Sequence, residues 1–281
     1  KAIRYYRQAL ARNPSDIITH TNLGVAYVQN QDPDNAMASF HRAMKLNPEG
    51  YGAYVYYSTL GASYISQGNY LKAIDVLKKA IHINPNNLRA HASYTNLGYA
   101  YFGAQAYDDA RRALQKAIEL NPESTAAYLM MGFLCQSLKE YDRAEQYYQK
   151  PLAYQPHEAR SYLRLGGLFV EQEGYPQAVT HLRRAIAINP NLAVAYQQLA
   201  SLYYKRGDSD SAIASIEQVI RLKPTSTVAL KKVVILCMQK KYYTKARKYL
   251  AAYRRLRPED EQASKQWADL QEMVESQAVS P

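Results

Sequence analysis

Few residues able to do chemistry in this 281-residue chain stand at spacings that chemistry uses. The six histidines, His20, His41, His82, His91, His157 and His181, are scattered, with no pair at ligand spacing on one helix. The only cysteines, Cys135 and Cys237, support neither a disulfide framework nor a cysteine-based zinc cluster. No Gly-rich phosphate loop or nucleophile motif occurs. These residues offer no catalytic constellation, metal site or cofactor site, so the expectation is a protein that is not an enzyme.

What remains is charge and tyrosine. Between residues 218 and 258 lie twelve Lys or Arg and no acid: Arg221, Lys223, Lys231, Lys232, Lys240, Lys241, Lys245, Arg247, Lys248, Arg254, Arg255 and Arg257. Subtracting these twelve from 35 basic residues leaves 23 against 24 acidic ones, so the net charge of +11 lives in this block. Clustered cations attract nucleic acid, anionic membrane or acidic protein. The same cluster also suits a solvated face, or a contact with an acidic part of a longer parent protein. Tyrosine occurs 27 times against one Trp and four Phe.

The elements that position these groups follow from a period. Pro14, Pro48, Pro85, Pro122, Pro156, Pro190, Pro224 and Pro258 are 34 or 37 residues apart, and five of the eight follow Asn. Counting from the third residue after each proline, the seventh and eighth places read Leu23-Gly24, Leu60-Gly61, Leu97-Gly98, Met131-Gly132, Leu165-Gly166, Leu199-Ala200 and Val233-Val234. The twentieth is always alanine: Ala36, Ala73, Ala110, Ala144, Ala178, Ala212 and Ala246. The twenty-fourth is Phe40, Leu77, Leu114, Tyr148, Leu182, Ile216 and Leu250. The register requires three-residue insertions at 51–53 and 88–90, which lengthen a first helix by nearly a turn or enlarge the loop before it. In 159–190, apolar residues recur at helical spacing in two stripes, which describes two amphipathic helices with a proline stop. One such hairpin cannot cover its own stripe, so neighbours must stack.

With these residues, the chain resembles the tetratricopeptide-repeat family, whose 34-residue unit pairs Trp-x-x-Leu-Gly-x-x-Tyr with Ala-x-x-x-Phe and a closing Pro. The resemblance implies an all-α fold, a right-handed α-solenoid or superhelix of stacked antiparallel helix-turn-helix repeats. The register divides it into 1–16, the second helix of a truncated repeat; repeats at 17–50, 51–87, 88–124, 125–158, 159–192, 193–226 and 227–260; and a capping helix and tail at 261–281, all one solenoid domain. An isolated helix at 1–16 exposes Ile3, Tyr6 and Leu10, so a longer parent, or self-association through this uncapped end, is expected; no initiator Met is present. At the other end Ala263, Trp267, Leu270 and Val274 share one helical face.

Departures from the pattern carry their own expectations. Pro151 replaces a small residue inside a second helix and should kink or shorten it at a cost of about 3 kcal/mol unless compensated. Val234 and Tyr253 occupy small-residue places and should splay the last pair. Sixteen tyrosines fall at places the repeat fills with large groups and are expected in the core, among them Tyr27, Tyr57, Tyr107 and Tyr148. Cys135 and Cys237 both fall at an eleventh place, on the core side. They stand three repeats apart, beyond the ~7 Å Cα separation a disulfide allows.

The resemblance further implies that first helices line an inner groove, with the second, fifth, sixth, ninth, twelfth and thirteenth places meeting a peptide. In repeats two to four these places include Val55, Ile65, Tyr99, Phe102, Leu129, Met130 and Phe133, an apolar strip. In repeats five to seven they include Arg160, Arg164, Gln197, Gln198, Tyr204, Lys205, Lys231 and Lys232, a polar and basic one. Asn22 and Asn96 are placed to pair with a ligand backbone. Such a groove suits a peptide with an acidic or carboxylate-bearing segment. Arg160 and Arg164 match the last two basic places of the family's chaperone-tail clamp, but Thr95, Tyr99 and Met130 depart from it, so chaperone-tail binding is not expected. The function read from the chain is a non-catalytic protein-interaction scaffold. Its alternatives are a basic docking module through the seventh repeat, with Lys240, Lys241, Lys245, Arg247, Lys248, Arg254 and Arg255 as its patch, or a regulatory segment of a larger enzyme. No stretch is long and apolar enough to span a membrane and the first residues do not resemble a signal peptide, which favours a cytoplasmic location.

Overall fold

Local hydrogen bonds explain the period. Asn13, Asn47, Asn121 and Asn189 each accept, through Oδ1, the amide of the residue two positions on, at 3.0–3.3 Å. The proline between has no amide to leave unpaired, so Asn-Pro both ends a helix and turns the chain. The next helix is then capped, with Asp16 accepting from the Ile18 and Thr19 amides, Ser124 from Ala127 and Ser226 from Ala229. Such caps satisfy amides that have no partner within the helix. In the turn inside six of the repeats, Gly68, Gln105, Lys139, Glu173, Gly207 and Lys241 share a left-handed backbone, φ 58–76°. The amide that follows each closes on the carbonyl of the eleventh residue, as Tyr242 does on Cys237 at 2.7 Å and Gly174 on Phe169 at 2.8 Å. This is the Schellman arrangement, for which glycine is best suited.

The computed structural model describes residues 1–30, 32–83, 90–261, 263, 265, 267–270, 272 and 273. Among them are fifteen α-helices, one 3-10 helix and no strand. The helices group into two units, residues 1–154 and 155–281. The first holds α1 (Ala2–Arg12), α2 (Ile17–Gln29), α3 (Pro33–Leu46), α4 (Tyr51–Ser66), α5 (Tyr70–Ile83), α6 (Ala90–Gly103), α7 (Tyr107–Leu120), α8 (Thr125–Ser137) and α9 (Tyr141–Gln149), then the 3-10 turn Lys150–Ala153. The second holds α10 (Ala159–Glu171), α11 (Tyr175–Ile188), α12 (Ala193–Lys205), α13 (Ser209–Leu222), α14 (Thr227–Gln239) and α15 (Tyr243–Leu256). A further helical segment carries Ala263, Trp267 and Leu270. Pro85, Leu88 and Val274 lie outside the described residues. Within each unit every helix packs on the next, giving an all-α solenoid of stacked helix pairs.

The close approach within a pair comes from small residues facing large ones. A Cβ built on Gly98, Gly132 or Gly166 would sit 2.5–2.7 Å from the side chain of Leu114, Tyr148 or Leu182. The seven twentieth-place alanines are at most 1% exposed. The 51–53 insertion lengthens its helix: α4 has 16 residues, where α2, α8, α10, α12 and α14 have 13. Pro151 does stop its helix. α9 ends after 9 residues where α7 and α11 run for 14, and the buried proline sits in the 3-10 turn instead.

Two expectations need revision. Ile3, Tyr6 and Leu10 are not bare; they are half-buried against Leu23, Tyr27 and Phe40. Of the sixteen framework tyrosines only Tyr27 and Tyr148 are buried; most are half-buried and Tyr107 is exposed. The ring covers apolar surface while the hydroxyl reaches a polar partner, which suits a ring at the edge of a stack. Tyr253, at a small-residue place, is buried, and its hydroxyl donates to Asp260 Oδ2 at 2.6 Å. Both cysteines are fully buried free thiols, and burial pushes the Cys237 thiol up to about 11. No described helix is long and apolar enough to cross a membrane.

Candidate functional site

Neighbouring first helices pack directly at α2–α4, α4–α6, α6–α8 and α10–α12. Between α12 and α14, in the unit of residues 155–281, a cavity of about 510 Å³ opens instead. Its walls are Gln197, Ser201 and Tyr204 from α12 and Val228, Lys232 and Ile235 from α14. Ile216 and Val219 of α13, with Ala200 and Leu236, complete its apolar lining. Tyr204 is 55% exposed, Val228 64% and Ile235 54%, an apolar surface that water covers poorly.

Three residues expected in a groove, Gln197, Tyr204 and Lys232, meet at this cavity. Val228, Ser201 and Ile235 join them; they occupy second and ninth places, and that register was the signal for finding them. Within the half expected to be polar and basic, this one cavity has a largely apolar lining with Lys232 as its charged wall residue. Gln198 is half-buried with its Oε1 unpartnered, while Lys205 is exposed at the end of α12.

The other expected residues divide by what holds them. Arg160 is exposed but engaged: its guanidinium donates twice to Glu158, at 3.0 Å each, so a ligand carboxylate would have to displace that carboxylate. Arg164 is exposed. In the unit of residues 1–154, the apolar strip is largely consumed by packing. Leu129 and Met130 are buried, and the Phe102 and Phe133 rings close on each other at 5.1 Å. Val55, Ile65 and Asn96 are half-buried. Tyr99 remains 41% exposed, and Asn22 is exposed beside Ile18, Val25 and Val28 of α2, three exposed apolar residues not anticipated.

The basic block is less bare than its composition, because acids from neighbouring segments reach it. Lys240 pairs with Asp210 at 3.0 Å, Lys245 with Glu217 at 3.2 Å and Lys231 with Asp260 at 3.1 Å. Arg254 lies over the Trp267 ring at 5.2 Å and Lys248 over Tyr249 at 5.6 Å. Lys241, Arg247 and Arg255 form no ion pair among the described residues. Lys240, then Tyr242, hold the Asp210 carboxyl below its ordinary range, and burial, then Glu217, raises the Tyr249 phenol. No group of three metal-ligating side chains occurs among the described residues.

Asp260 gathers three polar partners. It accepts from the Tyr253 hydroxyl, the Ala263 amide at 3.0 Å and Lys231, which together hold its carboxyl down to about 2. A carboxyl whose pKa is lower folded than unfolded stabilises the fold above its unfolded value near 4, and that contribution is lost as pH falls towards about 2. Urea titrations across this window should show acid destabilising the wild type, and Asp260→Asn should be weaker at neutral pH with a flatter acid dependence. An unchanged pH profile would mean that the contacts of Asp260 with Tyr253, Ala263 and Lys231 do not contribute to stability.

Models of tetratricopeptide repeats match residues 1–51, 53–123, 101–166 and 193–226, and a TPR-repeat model matches 166–207. No curated protein matches. Among solved structures, the chain is similar to a tetratricopeptide repeat protein from Parabacteroides merdae (TM-score 0.61, 19% identity, 91% of this chain and 98% of that one). It is also similar to yeast Tom70 (TM-score 0.67, 18% identity, 99% and 59%). A third is YrrB, described as a TPR protein with an unusual peptide-binding site (TM-score 0.50, 23% identity, 72% and 97%). These likenesses are of fold. The matched models run from residue 1 to 226 with a single residue omitted, and on that footing this chain belongs to the tetratricopeptide-repeat family.

Proposed function

We propose that this protein is a non-catalytic interaction scaffold that receives a peptide segment or protein surface on its first-helix faces, with the α12–α14 cavity as a principal seat. The observation that carries this reading is the cavity itself, lined by apolar side chains left more than half exposed where water gains little from them. The similarity to YrrB, a protein described as having a peptide-binding site, supports the same class of ligand.

Panning a library of short random peptides on the immobilised protein tests it. Ile235→Glu and Val228→Asp alter exposed side chains, so both variants should keep the wild-type circular dichroism. Each should weaken the selected peptides by at least about tenfold, or ~1.4 kcal/mol. Undiminished binding to both would refute the reading.

The basic docking alternative draws support from Lys241, Arg247 and Arg255, which have no carboxylate partner among the described residues. It requires binding that collapses in moderate salt and with Arg255→Glu while surviving Ile235→Glu.

A further inference from the structure

We propose that the α12–α14 cavity is an anchor pocket for one large apolar side chain of an acidic peptide segment, whose neighbouring carboxylate is received by Lys232. This deepens the scaffold reading and rests on it.

The size of the anchor follows from comparing equivalent places within the two units. On α6 and α8, the twelfth place of one repeat and the ninth of the next are Phe102 and Phe133. Their rings meet at 5.1 Å and close the seam between the helices. On α12 and α14 the same two places are Tyr204 and Ile235. Both are more than half exposed, and a cavity of about 510 Å³ stands where the closing contact would be. The second seam lacks the apolar bulk that the two phenylalanines supply to each other. A Phe, Trp or Leu side chain from outside would rest on a floor of Ile216 and Val219 and cover Val228, Ile235 and the Tyr204 ring, and removing these three exposed side chains from water gives the favourable burial.

The acidic character follows from charge. Among the described residues no carboxylate lines the cavity, and the one charged residue in its wall, Lys232, forms no ion pair. The adjacent Lys231 pairs with Asp260, so the two consecutive lysines differ: one is engaged with a carboxylate at the surface and one is available. Lys205, at the end of α12, is exposed and forms no ion pair among the described residues either. An apolar residue flanked by Asp or Glu meets a complementary lip here, while one flanked by Lys or Arg meets repulsion.

The test uses the full chain, panned with short random peptides, followed by fluorescence anisotropy of the labelled winners. Peptides selected on the wild type should carry a large apolar residue with Asp or Glu within a few positions. Their affinity should fall at least tenfold with Lys232→Glu and hold with Lys232→Arg. Ile235→Phe, which restores the bulk found at Phe133, should raise thermal stability and weaken the peptides. Winners without acidic bias, or indifferent to Lys232→Glu, would overturn the acidic-anchor proposal while leaving the scaffold reading standing. Winners indifferent to both Ile235→Glu and Val228→Asp, or no winners at all, would overturn both.

Discussion

Gly166→Val should destabilise the protein by about 1–3 kcal/mol, while Gly167→Ala, one residue away, should be neutral or stabilising by up to about 1 kcal/mol. A Cβ at position 166 would stand 2.7 Å from both Cγ and Cδ2 of Leu182, a fully buried side chain with no room to withdraw. A Cβ at position 167 meets nothing closer than Gln198 Nε2 at 3.4 Å, the end of a flexible side chain, so the gain in helix propensity is kept. Urea denaturation of both variants measures the contrast. Equal effects at the two positions would mean that the helix pair is not held at the separation seen here.

Leu182→Ala should cost about 2–5 kcal/mol, because it removes a fully buried side chain at the junction of α10 and α11 and leaves a void beside Ala178, Leu199 and Leu202. The two sites must also be coupled. Gly166→Ala alone is a clash and Leu182→Ala alone is a cavity, but in the double variant the new methyl enters the vacated space. The double variant should therefore be more stable than the sum of the single effects allows, by about 0.5–3 kcal/mol. Strict additivity would show that the two residues do not share one packing contact.

Both predictions rest on features legible in the bare chain. A proline at each boundary, preceded by Asn at five of the eight, a small residue at the eighth place of six repeats, alanine at the twentieth and a large group at the twenty-fourth determine helix ends and helix spacing through local bonds and sterics. These act over a few residues, or between the two helices of one hairpin, so a periodic sequence displays them directly. Gly68 and Gly207 similarly mark the left-handed turn, although Gln105, Lys139, Glu173 and Lys241 adopt it without advertising it.

Which exposed positions become a site was decided only by tertiary structure. Met130 and Tyr204 both occupy places expected to face a ligand, yet Met130 is buried with Leu134 whereas Tyr204 borders an opening. The difference lies in what the adjacent repeat presents across the seam. The charged block behaves alike: its sequence contains no acid, but Asp210, Glu217 and Asp260 approach from neighbouring segments and neutralise three of its lysines. Sequence determined the repeat because its causes are local. The cavity and the charge left at its lip depend on side chains about one repeat apart in the chain, whose encounter folding alone arranges.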